Sequence, residues 1–312
     1  MKKIARITAA AALAAMLGLT ACSGSDGGGS SAPADDAPKL TSGVDKAAEA
    51  ALPKSIRDAG QIKAAAGIPY APFILLEGEK QVGLDPDLAQ ALGEKLGVKI
   101  VISHQAFETV IPSLQAKKFD IIMSGMNDTV EREKTLNFVE EIYAGFSIVV
   151  KKGNPEGIKS IDDLCGKNVA VQKSSAQLEL LTDLSKTCKA DGKGEVKVQQ
   201  LPTAQDPQTA LKAGRVVAYP VDSPVAAYTV ATAGDGKDFE MINDPKNPAG
   251  INPVYTGIGT LKENEALTEA LRLAMQSLID EGVYADILKK HNLDSFATDK
   301  AIVNGASTAA QG

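Results

Sequence analysis

Short apolar runs alternate with amphipathic stretches along most of this chain. Leu88, Leu92 and Leu96 recur on one helical face behind Asp85-Pro86, with Gly97 as a stop. That pattern predicts a helix capped by Asp85 with proline at its first position. Leu178, Leu181, Leu184 and Cys188 mark a longer helix, and Leu271, Met275 and Leu278 a late one. Residues 109–117 read as helical, Asp206-Pro207 and Ser223-Pro224 open two more helices, and Ser160 with Asp163 forms a capping box. The runs 98–103, 119–123, 147–151, 169–172 and 216–221 read as strands, and 61–68 as a weaker one. In Ser124-Gly125-Met126-Asn127-Asp128-Thr129 a strand ends, and Thr129 predicts the cap of a helix that carries Arg132.

Alternating strands and helices imply an α/β fold with mostly parallel sheets. Ligands in such folds collect beyond the carboxyl ends of strands. Three strand-to-helix junctions carry polar residues: 124–132, 173–177 and 221–223.

The two ends differ from the middle. Lys2, Lys3 and Arg6 precede an apolar, acid-free run that stops at Leu19-Thr20-Ala21-Cys22. Residues 1–21 are therefore expected to be a secretory signal peptide, with Cys22 the lipidated first residue of the mature chain. Several acyl chains hold a soluble domain on a membrane where one would not. The alternative is ordinary cleavage beside an incidental cysteine. Residues 22–53 begin with Gly, Ser, Ala, Pro and Asp and are expected to form a flexible tether. Residues 297–312 are expected to be a loose tail.

Taking away residues 1–21 removes three cations and no acid, so the formal charge of −6 becomes −9. There is no basic block and no Trp, which speaks against nucleic acid as a partner. Nothing suggests a cofactor. No CxxC or His-rich spacing suggests a metal, and His104 and His291 lie far apart. With Cys22 assigned to lipid, Cys165 and Cys188 remain as a pair outside the cytoplasm. A disulfide between them would close a loop worth roughly 3 kcal/mol in the chain-entropy model. Two buried thiols are the alternative.

A series of short motifs resembles the family 3 extracellular solute-binding proteins, the polar amino-acid receptors of ABC importers. They run from Pro69-Tyr70-Ala71-Pro72-Phe73 through Gly83-Leu84-Asp85-Pro86-Asp87 and Phe119-Asp120-Ile121-Ile122 to Ser124-Gly125-Met126 with Arg132. Val169-Ala170-Val171-Gln172-Lys173, Val221-Asp222-Ser223-Pro224 and Asp280-Glu281-Gly282-Val283-Tyr284 follow in order. The resemblance implies a two-lobed periplasmic-binding-protein-like fold of type II, its lobes joined by two crossing strands with a ligand cleft between. Lobe 1 is expected at 54–147 plus 249–296 and lobe 2 at 148–248, with crossings near 147–151 and 243–258.

The same resemblance implies site residues. Arg132 would clamp the ligand's α-carboxylate, because a guanidinium matches a carboxylate bidentately and stays charged. Asp222 would take the α-ammonium, helped by Gly125 and Asn127. Tyr70 and Phe107 would line the side-chain pocket, while Phe73 reads as core. Ser174, Ser175, Ala176 and Gln177 match the loop that meets the carboxylate, with an Ala176 N–H replacing a hydroxyl that the family usually has. From periodicity alone Arg132 reads as a solvated helix-face residue, Asp222 as a helix cap and the 174–177 loop as a plain helix start. Gly67 stands where receptors for basic amino acids often carry an acid. Asp128 is left open between capping a turn and reading a ligand amine.

The implied protein is extracytoplasmic, anchored to the cell membrane, monomeric, and partnered with an ABC permease and ATPase. It is expected to be no enzyme. The alternatives are a cyclohexadienyl-dehydratase-like enzyme on the same fold and a ligand sensor without transport.

Overall fold

The computed structural model describes residues 40–242 and 250–309. Cys22 and the expected signal peptide lie outside the described residues. The strands are β1 (Gln61–Ala66), β2 (Leu75–Glu77), β3 (Lys80–Val82), β4 (Lys99–His104), β5 (Ile121–Asn127) and β6 (Leu136–Lys151). They continue with β7 (Asn168–Gln172), β8 (Lys197–Leu201), β9 (Ala218–Asp222), β10 (Phe239–Met241) and β11 (Ile251–Leu261). The helices are α1 (Lys46–Ala51), α2 (Lys54–Ala59), α3 (Leu84–Leu96), α4 (Val110–Gln115) and α5 (Ala176–Ala190). Then come α6 (Gln205–Lys212), α7 (Ser223–Thr232), α8 (Glu265–Asp280), α9 (Val283–Lys290) and α10 (Gly305–Ala309).

The strand order β4-β1-β5-β11-β6-β9-β7-β8 explains the two lobes. At one end β4, β1 and β5 run parallel, and at the other β9, β7 and β8 do. Between them lie β6 and β11, antiparallel to each other. β6 is sixteen residues long, enough to serve both ends: its first half faces β11 and its second half faces β9. These are the crossing strands. The expected first crossing lies within β6, and the second begins at β11, with 243–249 outside the described residues. Gly145 and Gly250 meet at this crossing: a Cβ on Gly145 would lie 2.4 Å from the Gly250 carbonyl carbon.

The apolar stripes pack as their spacing requires. Leu88, Leu92 and Leu96 of α3 and Leu271, Met275 and Leu278 of α8 are fully buried. Each side chain contributes roughly 2 kcal/mol of burial. Cys165 and Cys188 form a disulfide with a Cα–Cα distance of 5.5 Å.

Four expectations need correction. Asp85 is not the cap of α3. Gly83, at φ +126°, holds that position, and Asp85 turns inward within the first turn. No helix follows Thr129. Its hydroxyl accepts from the Arg132 N–H at 3.2 Å as a cap should, yet the chain makes one 3₁₀ turn (Arg132–Lys134) and enters β6. The residues after it are those of a strand buried on both faces, and pairing with β11 satisfies their backbone.

The tether does not extend to residue 53. Asp45 caps α1 by accepting from the Ala47 and Ala48 N–H groups, and Ala48 and Leu52 are buried against the core. An alanine-rich segment with one leucine is short on bulk but suffices where α3 and α8 supply the rest of the surface. Residues 297–307 are not loose either. The Glu140 N–H donates to the Ile302 carbonyl at 3.0 Å, and the Asn304 N–H to the Phe138 carbonyl at 3.1 Å. Half of β6 is an open sheet edge, and this segment pairs its exposed backbone groups.

Candidate functional site

The cleft forms where β5, β7, β8 and β9 end. Gly125, late in β5, has φ +53°, and a Cβ there would lie 2.9 Å from the Phe73 ring and 3.0 Å from the Tyr70 ring. Glycine alone lets this strand pass beneath Tyr70 and Phe73, whose rings stack at 5.5 Å. The stack holds Tyr70 at the cleft, while Phe73 is fully buried core, as expected. Two residues on, the buried Asn127 side chain donates to Asp222 Oδ1 at 2.7 Å and to Thr256 Oγ1 at 3.1 Å.

Asp222 ends β9 and is 3% exposed. It occupies the cap position of α7, yet its side chain caps nothing. It accepts from the Tyr70 hydroxyl in a short contact and from Asn127. Burial raises its carboxyl above the ordinary range, and hydrogen bonds from Tyr70 and Asn127 and the charge of Arg132 pull it back. Ser223 instead donates to the Gly145 carbonyl at 2.8 Å and pairs with Ser147 at 2.7 Å, tying α7 to the crossing.

Ser175 is the true cap of α5: its hydroxyl accepts from the Leu178 N–H at 3.3 Å. Ala176 and Gln177 open that helix, where N–H groups lack intrahelical acceptors and the dipole favours an anion. Ser174 is exposed, in the left-handed region at φ +60°.

Arg132 is 7% exposed. Its guanidinium donates to the Asn127 carbonyl at 2.6 Å and to the Ser174 carbonyl at 2.8 Å, and lies 5.8 Å from the Phe107 ring centroid. Burial lowers its pKa, opposed by Glu179, Asp222, Asp128 and Tyr70. A guanidinium nevertheless stays charged. The solvated helix-face reading of Arg132 is therefore wrong.

A cavity of about 680 Å³, mouth included, lies among these groups. Tyr70, Phe107, Gly125, Asn127, Ser175, Gln177 and Asp222 line it. Arg132, Ser174 and Ala176 are not among its lining residues; the Arg132 guanidinium lies 5.8 Å from the ring centroid of Phe107, which does line it, and donates to the Ser174 carbonyl. Asp128 is not among the residues lining the cavity, and its Oδ2 accepts from the Ala306 N–H at 3.0 Å.

Gln205, His104 and Thr203, which the sequence did not single out for the site, also line the cavity, as does Glu108, the acid that the enzyme alternative would use with Asp222. Gln205 donates across the cleft to the Pro69 carbonyl at 2.6 Å. The signal for it was available, since the β8-to-α6 junction is one more strand end. Among the described residues lining the cavity, Asp222 and Glu108 are acids and none is Lys or Arg.

Two α/β lobes on crossing strands, closed around a polar cavity with a buried acid on one side and a buried guanidinium beside it, define a two-lobed solute-binding protein. The model of the bacterial extracellular solute-binding proteins, family 3, matches residues 62–294, and the chain belongs to that family. It is 30% identical over 258 residues to the arginine-binding protein ArgT of Corynebacterium glutamicum, covering 82% of each chain. Among solved structures it is similar to an ancestral arginine-binding protein bound to arginine (TM-score 0.65, 32% identity, 74% of this chain and 98% of that one). It is also similar to the ancestral amino acid-binding protein AncCDT-1, a precursor of cyclohexadienyl dehydratase (TM-score 0.66, 28% identity, 76% of this chain and 97% of that one). These relatives are binding proteins, and this chain is a solute-binding protein of their family.

Proposed function

We propose that this protein captures a polar amino acid in its cleft outside the cytoplasm and delivers it to an ABC permease and ATPase, acting as a monomer held to the membrane by lipid on Cys22. The observation that carries the reading is the pairing of Asp222 with Arg132 at one cleft, an anion and a cation spaced by Asn127. A free amino acid presents the complementary pair on one carbon. Asp222 takes the ammonium, with Tyr70 and Asn127 setting its orientation. Arg132 takes the carboxylate, exchanging the Ser174 carbonyl for it, and the amides of Ala176 and Gln177 complete the shell. Contacts from both lobes favour the closed form when ligand is present.

Among the described residues, lobe 1 is assigned 40–147 and 250–307, extended by the two packed end segments, and lobe 2 is assigned 148–242. The rest of the cavity suits a side chain that is cationic or neutral and polar. Tyr70 and Phe107 give it an aromatic wall, and Glu108 supplies negative charge with no lysine or arginine to balance it. An acidic ligand would meet that negative charge as well as Asp222. The relatives named for arginine support the cationic end of this range.

Isothermal titration against the twenty common amino acids tests the reading. One-site binding of at least one cationic or amide amino acid is expected, with none for aspartate or glutamate, and loss of binding in Arg132→Ala. Absence of binding by all twenty overturns it. Radiolabelled palmitate incorporated by the native chain but not by Cys22→Ala tests the anchor.

A further inference from the structure

Three carboxylates behind the cleft grip three successive amides of the segment that covers β6. Glu140 Oε1 accepts from the Gly305 N–H at 2.9 Å, Asp128 Oδ2 from the Ala306 N–H at 3.0 Å, and Glu133 Oε1 from the Ser307 N–H at 3.0 Å. Glu133 also accepts from the Ser307 hydroxyl in a short contact. Asp128 and Glu140 are fully buried and Glu133 is 3% exposed. The placement of two of them is informative. Asp128 directly follows Asn127, the partner of Asp222, and Glu133 directly follows Arg132. Between them the loop makes short-range turn bonds, Glu133 N–H to the Thr129 carbonyl at 2.9 Å, Arg132 N–H to the Thr129 hydroxyl at 3.2 Å and Lys134 N–H to the Glu131 carbonyl at 3.2 Å, and Val130 and Glu131 are exposed. Beyond these turn bonds the loop is anchored at its ends, by the Asp128 N–H on the Tyr255 carbonyl at 2.8 Å, by Lys262 on the Glu133 carbonyl at 2.5 Å and by the segment at 305–307.

We propose that residues 303–307 are a strap that positions the loop 128–134, and through it Asn127 and Arg132. The strap pins the loop at both ends and leaves its exposed middle free. It is itself seated on the crossing. Gly305 lies against Tyr255 of β11, so closely that a Cβ would come within 2.2 Å of the ring. Val303 bridges to Val139 of β6, and Asn304 Oδ1 accepts from the Phe138 N–H at 2.9 Å. The same segment thus touches both crossing strands and the loop that carries the clamp. Asp128, Glu133 and Glu140 act here as positioning residues and touch no ligand.

Two variants test this: a chain stopped after Ile302, and the full-length Gly305→Val, which the Tyr255 ring excludes from its seat. Hydrogen exchange is followed in the ligand-free proteins. The amides of 128–135 are expected to exchange at least about tenfold faster in both variants, with β1, β7 and β9 unchanged. Dissociation constants for L-arginine and L-glutamine, titrated separately, are expected to rise roughly three- to thirtyfold. The affinity arm rests on Arg132 as the carboxylate clamp, and the exchange arm does not. Faster loop exchange in a protein whose parent binds none of the twenty amino acids upholds the strap and counts against the proposed function. Unchanged exchange over 128–135 in both variants overturns the strap, as does global loss of protection in both, because a strap acting on one loop leaves the sheets intact.

Discussion

The Asn127 side-chain amide donates to Asp222 at 2.7 Å, joining the end of β5 to the end of β9 across the cleft. With Tyr70 on the other carboxylate oxygen, Asp222 is aimed by donors from lobe 1 although it is carried by lobe 2. A buried carboxylate held this way is pre-set for a cation arriving between the lobes.

Asp222→Asn keeps the shape and removes the charge. Loss of a buried, charge-assisted partner for the ligand ammonium costs on the order of 2–4 kcal/mol, or about thirty- to a thousandfold in Kd. Calorimetric titration of the best-binding amino acid checks this. A Kd within about threefold of the parent's would show that the ammonium is held elsewhere.

Arg132→Lys keeps the charge and loses the fork. The guanidinium holds the Asn127 carbonyl and the Ser174 carbonyl on separate nitrogens, and an ammonium on a flexible stem cannot keep the Asn127 bond while meeting a carboxylate in two bonds in place of Ser174. Affinity is expected to fall about ten- to a hundredfold, short of the loss in Arg132→Ala. Equal affinity in Lys and Arg forms would reduce the clamp to a point charge.

Stability should fall as pH rises from about 5 to 8. Asp85 is fully buried, neither of its oxygens has a hydrogen-bond partner, and burial pushes its carboxyl up from 3.8 to about 7, against a weaker downward pull from the Gly125 amide. Burial moves Glu140 and Glu141 well upward too. For these groups the folded state holds protons that the unfolded chain releases, so the folded state loses ground as protons become scarce. The carboxyls held low, such as Asp45 and Asp163, act below this window. Each proton difference is worth about 1.4 kcal/mol per pH unit. Thermal melts between pH 5.5 and 8 should show a declining Tm, with a shallower decline in Asp85→Asn. A flat or rising Tm in the parent would refute the assignment.

Reduction of the Cys165–Cys188 bond should lower stability without touching the cleft. The bridge spans 23 residues, and closing such a loop is worth about 3 kcal/mol in the chain-entropy model. Reducing agent should shift the urea midpoint downward and leave ligand affinity as it was. An affinity change would place the disulfide in communication with the cleft.

Much of this was written in local order. The spacing of Leu88, Leu92 and Leu96 and of Leu271, Met275 and Leu278 named the buried faces of α3 and α8, because an apolar face that repeats with the helix turn has to be buried. Strand-to-helix junctions marked the segments that carry Arg132 and Asp222, because ligands collect at strand ends in an α/β sheet, but the roles of the two residues came from the family resemblance and not from local order. The local signals were correct in kind even where the element was not: Thr129 does accept a cap-like bond, though the turn ends after Lys134. Local order did not contain the partners. Asp85 has the composition of a helix cap and became a buried acid, because Gly83 took the cap and the sheet lay beneath. Gln205 reaches Pro69 from 136 residues away, and the polar, small-residue segment at 303–307 found an open edge of β6. Periodicity states which side of an element must be covered. What covers it, and which polar group is then left facing the ligand, is decided by contacts between residues far apart in the chain, which only the folded structure brings together.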